Sequence, residues 1–436
     1  MIKLIAALAL TAASTAFAPT VWAQDNAAPT DAQIAETNLQ QRAEDVVAFF
    51  KGAAEAEDLF SPAFLASVPP ATLATVNAQM TARFGAVVGV DSVEVTGPGS
   101  AKLTLQFENA LVAGPMRITA DTPPLIDGLL LNEVTPLDVD KGSLEEDFKA
   151  LPGRVGVFFA PLADDATPTF ALDAAGQYAI GSAFKLYVLS ALAQAVDAGE
   201  HSWDEVVALE TRSLPSGSLH TWPKGAPVTV HTLATLMISV SDNTATDQLI
   251  ALLGRDRIEM ELRNSGHAMP SRTLPFLTTL ELFALKGDPG LRQRYISGDE
   301  ATRRVILAEM GERFGGDPAR ITVPTFTTPT AIDTAEWFAS GEDLRRLLQR
   351  IVDLEDGTAR DILAVNPSLS GAAADKWKYI GFKGGSEPGV LNLTWLLQDE
   401  AGAWHMAAIN WNDPAKPVDA RQMEMLANRL LSLPHP

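Results

Sequence analysis

The sequence predicts a two-part α+β protein: a small domain of helices followed by strands, then a sandwich of an antiparallel sheet and a helical subdomain. Three observations carry this. Helical apolar spacing gives way, between residues 38 and 140, to short β-branched runs joined by Gly-containing turns. Strand-like runs then recur in two groups, one just after residue 150 and one beyond residue 378. The long stretch between those groups, about 183 to 365, is mostly of helical period. A sheet built from both ends of a domain, with helices inserted in the middle, is a specific architecture. The length of 436 residues agrees with more than one domain, since a domain takes roughly 100 to 200.

From the start of the chain, residues 1–23 are expected to form a secretory signal peptide. Lys3 supplies a basic start, Leu4 to Leu10 an apolar stretch, and Val21-Trp22-Ala23 before Gln24 a small-x-Ala cleavage site. The unbroken apolar run falls short of the roughly 20 residues a span needs, and Pro19 interrupts its far end, so cleavage is favoured over anchorage. Export to the periplasm or the medium follows, and no later segment has the length of a stable membrane span. Residues 24–37, rich in Ala, Asp and Thr, are expected to be a flexible leader, with order beginning near Leu39.

Leu39, Ala43, Val46, Val47 and Phe50 then fall at helical spacing, and Pro62 to Ser67 and Pro70 to Phe84 predict two short helices. Strands are predicted over Val87 to Val95, Ala101 to Glu108 and Met116 to Ala120, with Leu129 to Val134 as a fourth; Gly114-Pro115 is expected to be a turn. These elements make up a small α+β domain over 38–140. Residues 24–140 contain no Trp or His, and their polar residues form no recognisable site, so a packing or partner-positioning role is expected. Thr135 to Gly142 reads as a linker.

The second domain, 141–436, is predicted to open with a helix over Leu144 to Leu151 and strands over Arg154 to Ala160 and Thr167 to Leu172. Ser182 leads directly into a helix over Ala183 to Ala198 closed by Gly199. Tyr379 to Lys383, Gly389 to Gln398 and Trp404 to Trp411 are three further strands, and Pro417 to Leu431 a last helix with Met423, Leu426 and Leu430 on one side.

Composition excludes several classes of function. Lys plus Arg is 33 against 54 Asp plus Glu, a formal charge of −21, and such a field repels phosphate backbones, so no nucleic-acid partner is expected. Cysteine is absent: the protein has no disulfide, no thiolate nucleophile and no thiolate metal site. The six histidines, at 201, 220, 231, 267, 405 and 435, include no paired ligand spacing, so neither a metal nor another cofactor is expected. Oligomeric state is not encoded in any feature of the sequence.

The chemistry starts at Ser182-Ala-Phe-Lys185. A hydroxyl and an amine three residues apart at a helix start lie on one face, and a serine nucleophile needs such a neighbouring base, held near neutral pKa by burial and nearby positive charge. The helix start also offers backbone N–H groups to a developing oxyanion. Alone the pattern is weak, since roughly one S-x-x-K arises by chance in such a chain. Ser241-Asp242-Asn243, flanked by apolar runs, reads as a break between buried helices with hydroxyl and amide facing a cleft; an Asx cap on the following helix explains part of it equally well. Lys383-Gly384-Gly385-Ser386 closes an apolar strand, its ammonium offering a point for a substrate carboxylate and its glycines leaving room for substrate along the strand edge.

At these three elements the sequence resembles the active-site serine superfamily of class A β-lactamases and penicillin-binding proteins, with their S-x-x-K, S-D-N and K-T-G set. The order agrees, as does the interval from Ser182 to Ser241. The resemblance runs from about Leu144 to the C-terminus. The N-terminal module and the phrases Pro275-Phe-Leu-Thr-Thr and Lys383-Gly-Gly-Ser-Glu-Pro-Gly-Val390 resemble most a two-domain subgroup that includes a clavulanic-acid biosynthesis protein and certain mycobacterial lipoproteins. In that subgroup the small domain resembles the steroid isomerase and polyketide cyclase fold.

The resemblance implies a β-lactamase/transpeptidase-like sandwich and an acyl-enzyme mechanism. It makes Ser182 the acylated nucleophile, Lys185 its proton acceptor, Ser241 the shuttle to the leaving group and Asn243 an orienter. Lys383 would meet a substrate carboxylate beside Gly384, Gly385 and Ser386, the N–H groups of Ser182 and Ser386 would form the oxyanion hole, and Asp242 would be structural. The implied partner is a small β-lactam, ester or peptide-like molecule. Two departures matter. Gly384 removes the hydroxyl of the third motif, and Arg272-Thr-Leu-Pro-Phe-Leu-Thr-Thr279 lacks the glutamate that would activate a deacylating water. Glu281, on a predicted helix, is a weak substitute, and His220 and Trp222 are candidates for a cleft wall. Slow β-lactam turnover is therefore expected. A D,D-peptidase, a carboxylic-ester hydrolase, and a penicillin-binding sensor or partner-binding protein remain the alternatives.

Overall fold

The computed structural model describes residues 31–137, 140–163, 166–369 and 371–434. The expected signal peptide lies outside these residues. The first helix, Asp31–Phe50, corrects the expectation of a flexible leader to residue 37: Asp31 to Thr37 are helical. Ala, Gln and Glu are strong helix formers there and extend the helix upstream of its buried stripe. That stripe is the predicted one, with Leu39, Ala43 and Val46 fully buried.

Three further helices, Ala56–Leu59, Pro62–Ser67 and Pro70–Phe84, precede an antiparallel sheet. Its strands are Val87–Gly97, Ser100–Phe107, Ala110–Ile118, Ile126–Leu129 and Glu133–Pro136, and the third pairs with both of the last two. The predicted fourth strand over Leu129 to Val134 is thus two strands with a break between them. Gly114-Pro115 is no turn but lies inside the third strand. Both residues sit at the break, where Pro115 accepts from Leu130 N at 3.1 Å and so keeps its ladder role without an N–H of its own. Gly114 is needed for close approach: a Cβ there would meet Leu130 O at 1.8 Å. This part has its own apolar cluster, including Leu39, Phe60, Leu103, Leu105 and Phe107.

The expected linker is largely structured. Thr135 and Pro136 belong to the last strand, and Lys141–Lys149 is a helix capped by Asp140, whose carboxylate accepts from Ser143 N at 2.8 Å. The chain then builds one antiparallel sheet in the order Tyr379–Glu387, Val390–Gln398, Trp404–Asn412, Arg154–Pro161, Phe170–Leu172. The predicted strand from Thr167 is shorter, beginning at Phe170.

Period-two alternation divides the sheet's residues between two cores. Phe158, Ala160, Met406 and Ala408 pack with the helical subdomain. Val157, Phe159, Ala407, Ile409 and Trp411 pack with the terminal helices, including Leu144, Phe148, Met423 and Leu430. The last helix is Ala420–Leu431. At the centre of the helical subdomain lies Lys185–Asp197, buried from Lys185 through Ala193, with Asn243–Leu253, Arg255–Asn264 and Gly341–Val352 against it. Among the described residues no helix is long and apolar enough to cross a membrane.

Gly114→Ala tests the strand break. The added methyl drives Leu130 off the third strand at a cost on the order of 3 kcal/mol, so amide exchange over Ser100–Phe107 and Ala110–Ile118 should accelerate; unchanged protection would refute the close packing.

Candidate active site

Ser182 lies in a short 3-10 turn, Gly181–Phe184, that runs into the central helix at Lys185. Gly181 enters the turn at φ +47°, and Trp337 stacks on Phe184 with ring centroids 3.6 Å apart, fixing the turn from beneath. The strand Tyr379–Glu387 runs hard against it: a Cβ on Gly385 would come within 2.1 Å of Ile180 O and 2.5 Å of Ser182 N. This corrects the expected role of the glycine pair. Gly385 makes room for the nucleophile's own backbone, and the space beside Gly384 is taken by the Phe382 ring, 2.9 Å from a built Cβ. The motif also continues the strand through to Glu387 and does not end it at Phe382.

Ser241 occupies the break between helices Val230–Ser239 and Asn243–Leu253, at φ +57°. A non-glycine residue there is strained, and the surroundings hold it. Asp242 does the holding. Its carboxylate caps the following helix through Ala245 N at 2.9 Å and accepts from Ser218 N at 2.7 Å and Leu219 N at 2.9 Å. The Asx cap on the following helix is thus made by Asp242, while Ser241 and Asn243 on either side of it face a cavity.

Ser182, Ser241, Asn243, Lys383, Gly384, Gly385 and Ser386 border one cavity of about 610 Å³. Lys185 is buried at its inner edge: its Nζ donates to Ser241 O at 2.6 Å and Asn243 Oδ1 at 2.8 Å, and lies 3.0 Å from Ser241 Oγ. Lys383 Nζ reaches the same hydroxyl from the other side at 3.1 Å. Burial pulls the Lys185 ammonium well below the ordinary lysine range, the charge of Lys383 adds to this, and Asp247 and Asp242 oppose it. Burial alone brings Lys383 down to about 7. A neutral amine has two N–H bonds and one lone pair. The two carbonyl oxygens use the first, and a serine hydroxyl is the available donor to the second.

Glu281 is placed away from this cavity. It accepts from Thr278 N at 2.8 Å and pairs with Arg255 at 2.6 Å and 3.1 Å, beside a separate cavity of about 330 Å³. His220 and Trp222 do not border the nucleophile's cavity; Pro215 and Ser216 of the same loop do. Sequence reasoning missed Glu336 and Glu387, the two carboxylates that border it. Lys286, itself buried, donates to both. Glu387 directly follows the third motif and was findable; Glu336 and Lys286 carry no local pattern. Among the described residues no group of three or more His, Cys, Asp or Glu is arranged to hold a metal ion.

Compared with known proteins, residues 141–306 match the model of the β-lactamase enzyme family. Among solved structures, a β-lactamase from Sphaerobacter thermophilus is 21% identical with a TM-score of 0.45, over 67% of this chain and 93% of that one. A mutant of PBP-A, solved as an acyl-enzyme complex with penicillin G, is 17% identical with a TM-score of 0.47 over the same shares, 67% and 93%. A β-lactamase from Desulfarculus baarsii is 19% identical with a TM-score of 0.46, over 67% of this chain and 97% of that one. No curated protein sequence matches.

Asp247, one helical turn beyond Asn243, supplies a test of the site's support. Its carboxylate accepts from Thr279 N at 2.7 Å and Leu280 N at 3.0 Å, and burial still raises its pKa to about 6. The folded protein therefore holds this proton more tightly than the unfolded chain. The stabilisation is full below pH 4 and is lost as pH rises through about 6, a change of about 3 kcal/mol. Urea unfolding of wild type and Asp247→Asn at several pH values should show wild type losing this much relative to the variant between pH 4 and 7. Parallel curves would place the titration elsewhere.

Proposed function

We propose that this protein, whose residues 141–306 match the model of the β-lactamase enzyme family, is a serine hydrolase acting through an acyl-enzyme on Ser182. The observation that carries the reading is the buried Lys185 amine, held 3.0 Å from the Ser241 hydroxyl while it donates to Ser241 O and Asn243 Oδ1, with burial and the charge of Lys383 favouring its neutral form. Ser182 gives its proton to Lys185 Nζ as Oγ bonds to the substrate carbonyl carbon. The backbone N–H groups of Ser182 and Ser386, brought side by side by the Gly385 contact, stabilise the oxyanion. Lys185 then returns the proton through Ser241 Oγ to the leaving nitrogen or oxygen as its bond to carbon breaks. Lys383, on the far side of that hydroxyl, meets the substrate's carboxylate and opposes a charge on Lys185.

Hydrolysis of the ester needs a base for water. Glu281 is committed to Arg255, Glu336 is buried against Lys286, and Glu387, four residues along its strand from Lys383, holds its proton, so Lys185 serves both half-reactions. A bulky β-lactam acyl group shields that approach, whereas a small ester leaves it open. Slow β-lactam turnover, with faster turnover of small esters, is part of this reading. So is export, on the strength of the basic, apolar and small-residue order of residues 1–23.

Intact-mass analysis after mixing with a penicillin and, separately, with a small activated ester tests the assignment. One acyl group per chain is expected on Ser182, with a burst followed by a slow steady state for the penicillin and none in Ser182→Ala. Adduct persisting in that variant would refute the nucleophile. Rapid penicillin turnover without a burst, abolished by Glu281→Gln with acylation intact, would identify a base that the reading lacks.

The titration of Lys383 near pH 7 gives a second test. Lys383 is charged below that pH and neutral above it, so acylation by a carboxylate-bearing penicillin should fall, relative to a neutral ester, as pH rises from 6 to 9. Lys383→Ala should flatten the ratio and lower it about tenfold. Equal losses for both substrates would confine Lys383 to acting on Lys185 and Ser241.

A further inference from the structure

The cavity that holds Ser182 has two electrical ends. Lys383 and Lys185 stand at one. At the other, Glu336 and Glu387 share the single ammonium of Lys286, which leaves one carboxylate without a full counter-charge. The Lys286 side chain is 1% exposed, that of Glu336 is fully buried, and that of Glu387 is 10% exposed. Glu336 is further satisfied by Trp337 N at 3.3 Å. Glu387 is therefore the member that meets a ligand. Lys383 and Glu387 lie four residues apart on one regular strand, hence on the same face, about 13 Å from each other along it. Ser386 N–H falls between them. The same cavity is walled by Phe283 and Phe326, edge to face with centroids 5.5 Å apart, and aromatic faces beside a carboxylate favour an organic cation.

Resting on the serine-hydrolase reading of this cavity, we infer that Glu387 selects substrates whose acyl part carries an ammonium group, so that the preferred substrate is zwitterionic: its carboxylate lies toward Lys383 and its ammonium toward Glu387. Burial and the charge of Glu336 hold the Glu387 carboxyl well above the usual carboxylate range, against the pull of Lys286. A ligand ammonium supplies what is missing and displaces that proton. An anionic acyl group gains nothing from ionising Glu387 and would add a third carboxyl group around the single Lys286 ammonium, which is rejection by like charge.

Three penicillins that differ in the acyl side chain separate the possibilities: ampicillin with an α-ammonium, benzylpenicillin with none, and carbenicillin with an α-carboxylate. Their affinities for the Ser182→Ala protein, measured by calorimetry, should fall in that order, by about tenfold or more from first to last. Glu387→Gln in the same background should bring the outer two within about threefold of each other, and Glu387→Asp should restore the order. Binding of ampicillin should release a proton, seen as a dependence of the heat on buffer ionisation, and this should vanish in Glu387→Gln. Carbenicillin binding as tightly as ampicillin, or an order that survives Glu387→Gln, would overturn the inference. Because the variant cannot be acylated at Ser182, this outcome is independent of acylation in the wild type: no Ser182 adduct in wild type, with the order intact, would refute the hydrolase reading and leave the ammonium preference standing.

Discussion

Two buried lysine side chains meet at one half-buried hydroxyl, an arrangement that disfavours charge on both. Lys185 and Lys383 approach Ser241 Oγ at 3.0 Å and 3.1 Å, both side chains buried, and in that setting the charge of Lys383 adds to burial in favouring a neutral Lys185. Much of the surrounding structure enforces this meeting. The left-handed backbone at Ser241 aims the hydroxyl, Asp242 pins the break that contains it, and Gly217 lies so near that a Cβ would meet the Asp242 carboxylate at 2.1 Å. A carboxylate that accepts three backbone N–H groups is well placed to anchor strain. It sits one residue from the hydroxyl yet takes no part in the lysine contacts.

The sheet supplies the other constraint. Lys383 reaches Ser241 from a strand that must also pass beside the turn of Ser182, and only a residue without a side chain at 385 lets the two backbones touch. The alternation that sends Lys383 into the cavity sends Phe382 to the opposite core, where it packs with Trp395 at 5.1 Å. Slipping the strand by one residue would exchange these faces and destroy the site together with the second core. Packing and chemistry are thus specified by the same register.

The parts of this architecture that were legible in the sequence are those with local signals. The strand groups at both ends of the second part, the helices at Pro62 and Pro70, and the three polar motifs stand out because period, Pro and Gly, and rare tripeptides are local features. The errors have local causes too. Asp31 to Thr37 looked like a leader because its composition is polar, though its helix propensity was high. Gly114-Pro115 looked like a turn because nothing nearby reveals that two partner strands meet there. Glu336 and Lys286 were invisible because their meaning arises from a contact made across 50 residues of chain, and no spacing rule anticipates it. Glu281 was ambiguous for the converse reason: its sequence position fits a base, and only the Arg255 contact shows where the side chain goes.

The distribution of carboxylates then has a physical logic of its own. Five acidic side chains lie at the site or near it, and each is met by a donor other than Lys185: Asp242 by backbone N–H groups, Asp247 by the start of helix Thr279–Gly287, Glu281, beside the neighbouring cavity, by Arg255, and the pair Glu336 and Glu387 by the one ammonium of Lys286. Lys185 bonds to Ser241 and Asn243 and to none of these acids, although Asp242 and Asp247 are near enough to raise its pKa. A carboxylate placed directly on that amine would keep it protonated and remove the lone pair that a serine proton needs. Matching these five acids to other donors lets a chain of net charge −21 keep a neutral amine near its candidate nucleophile.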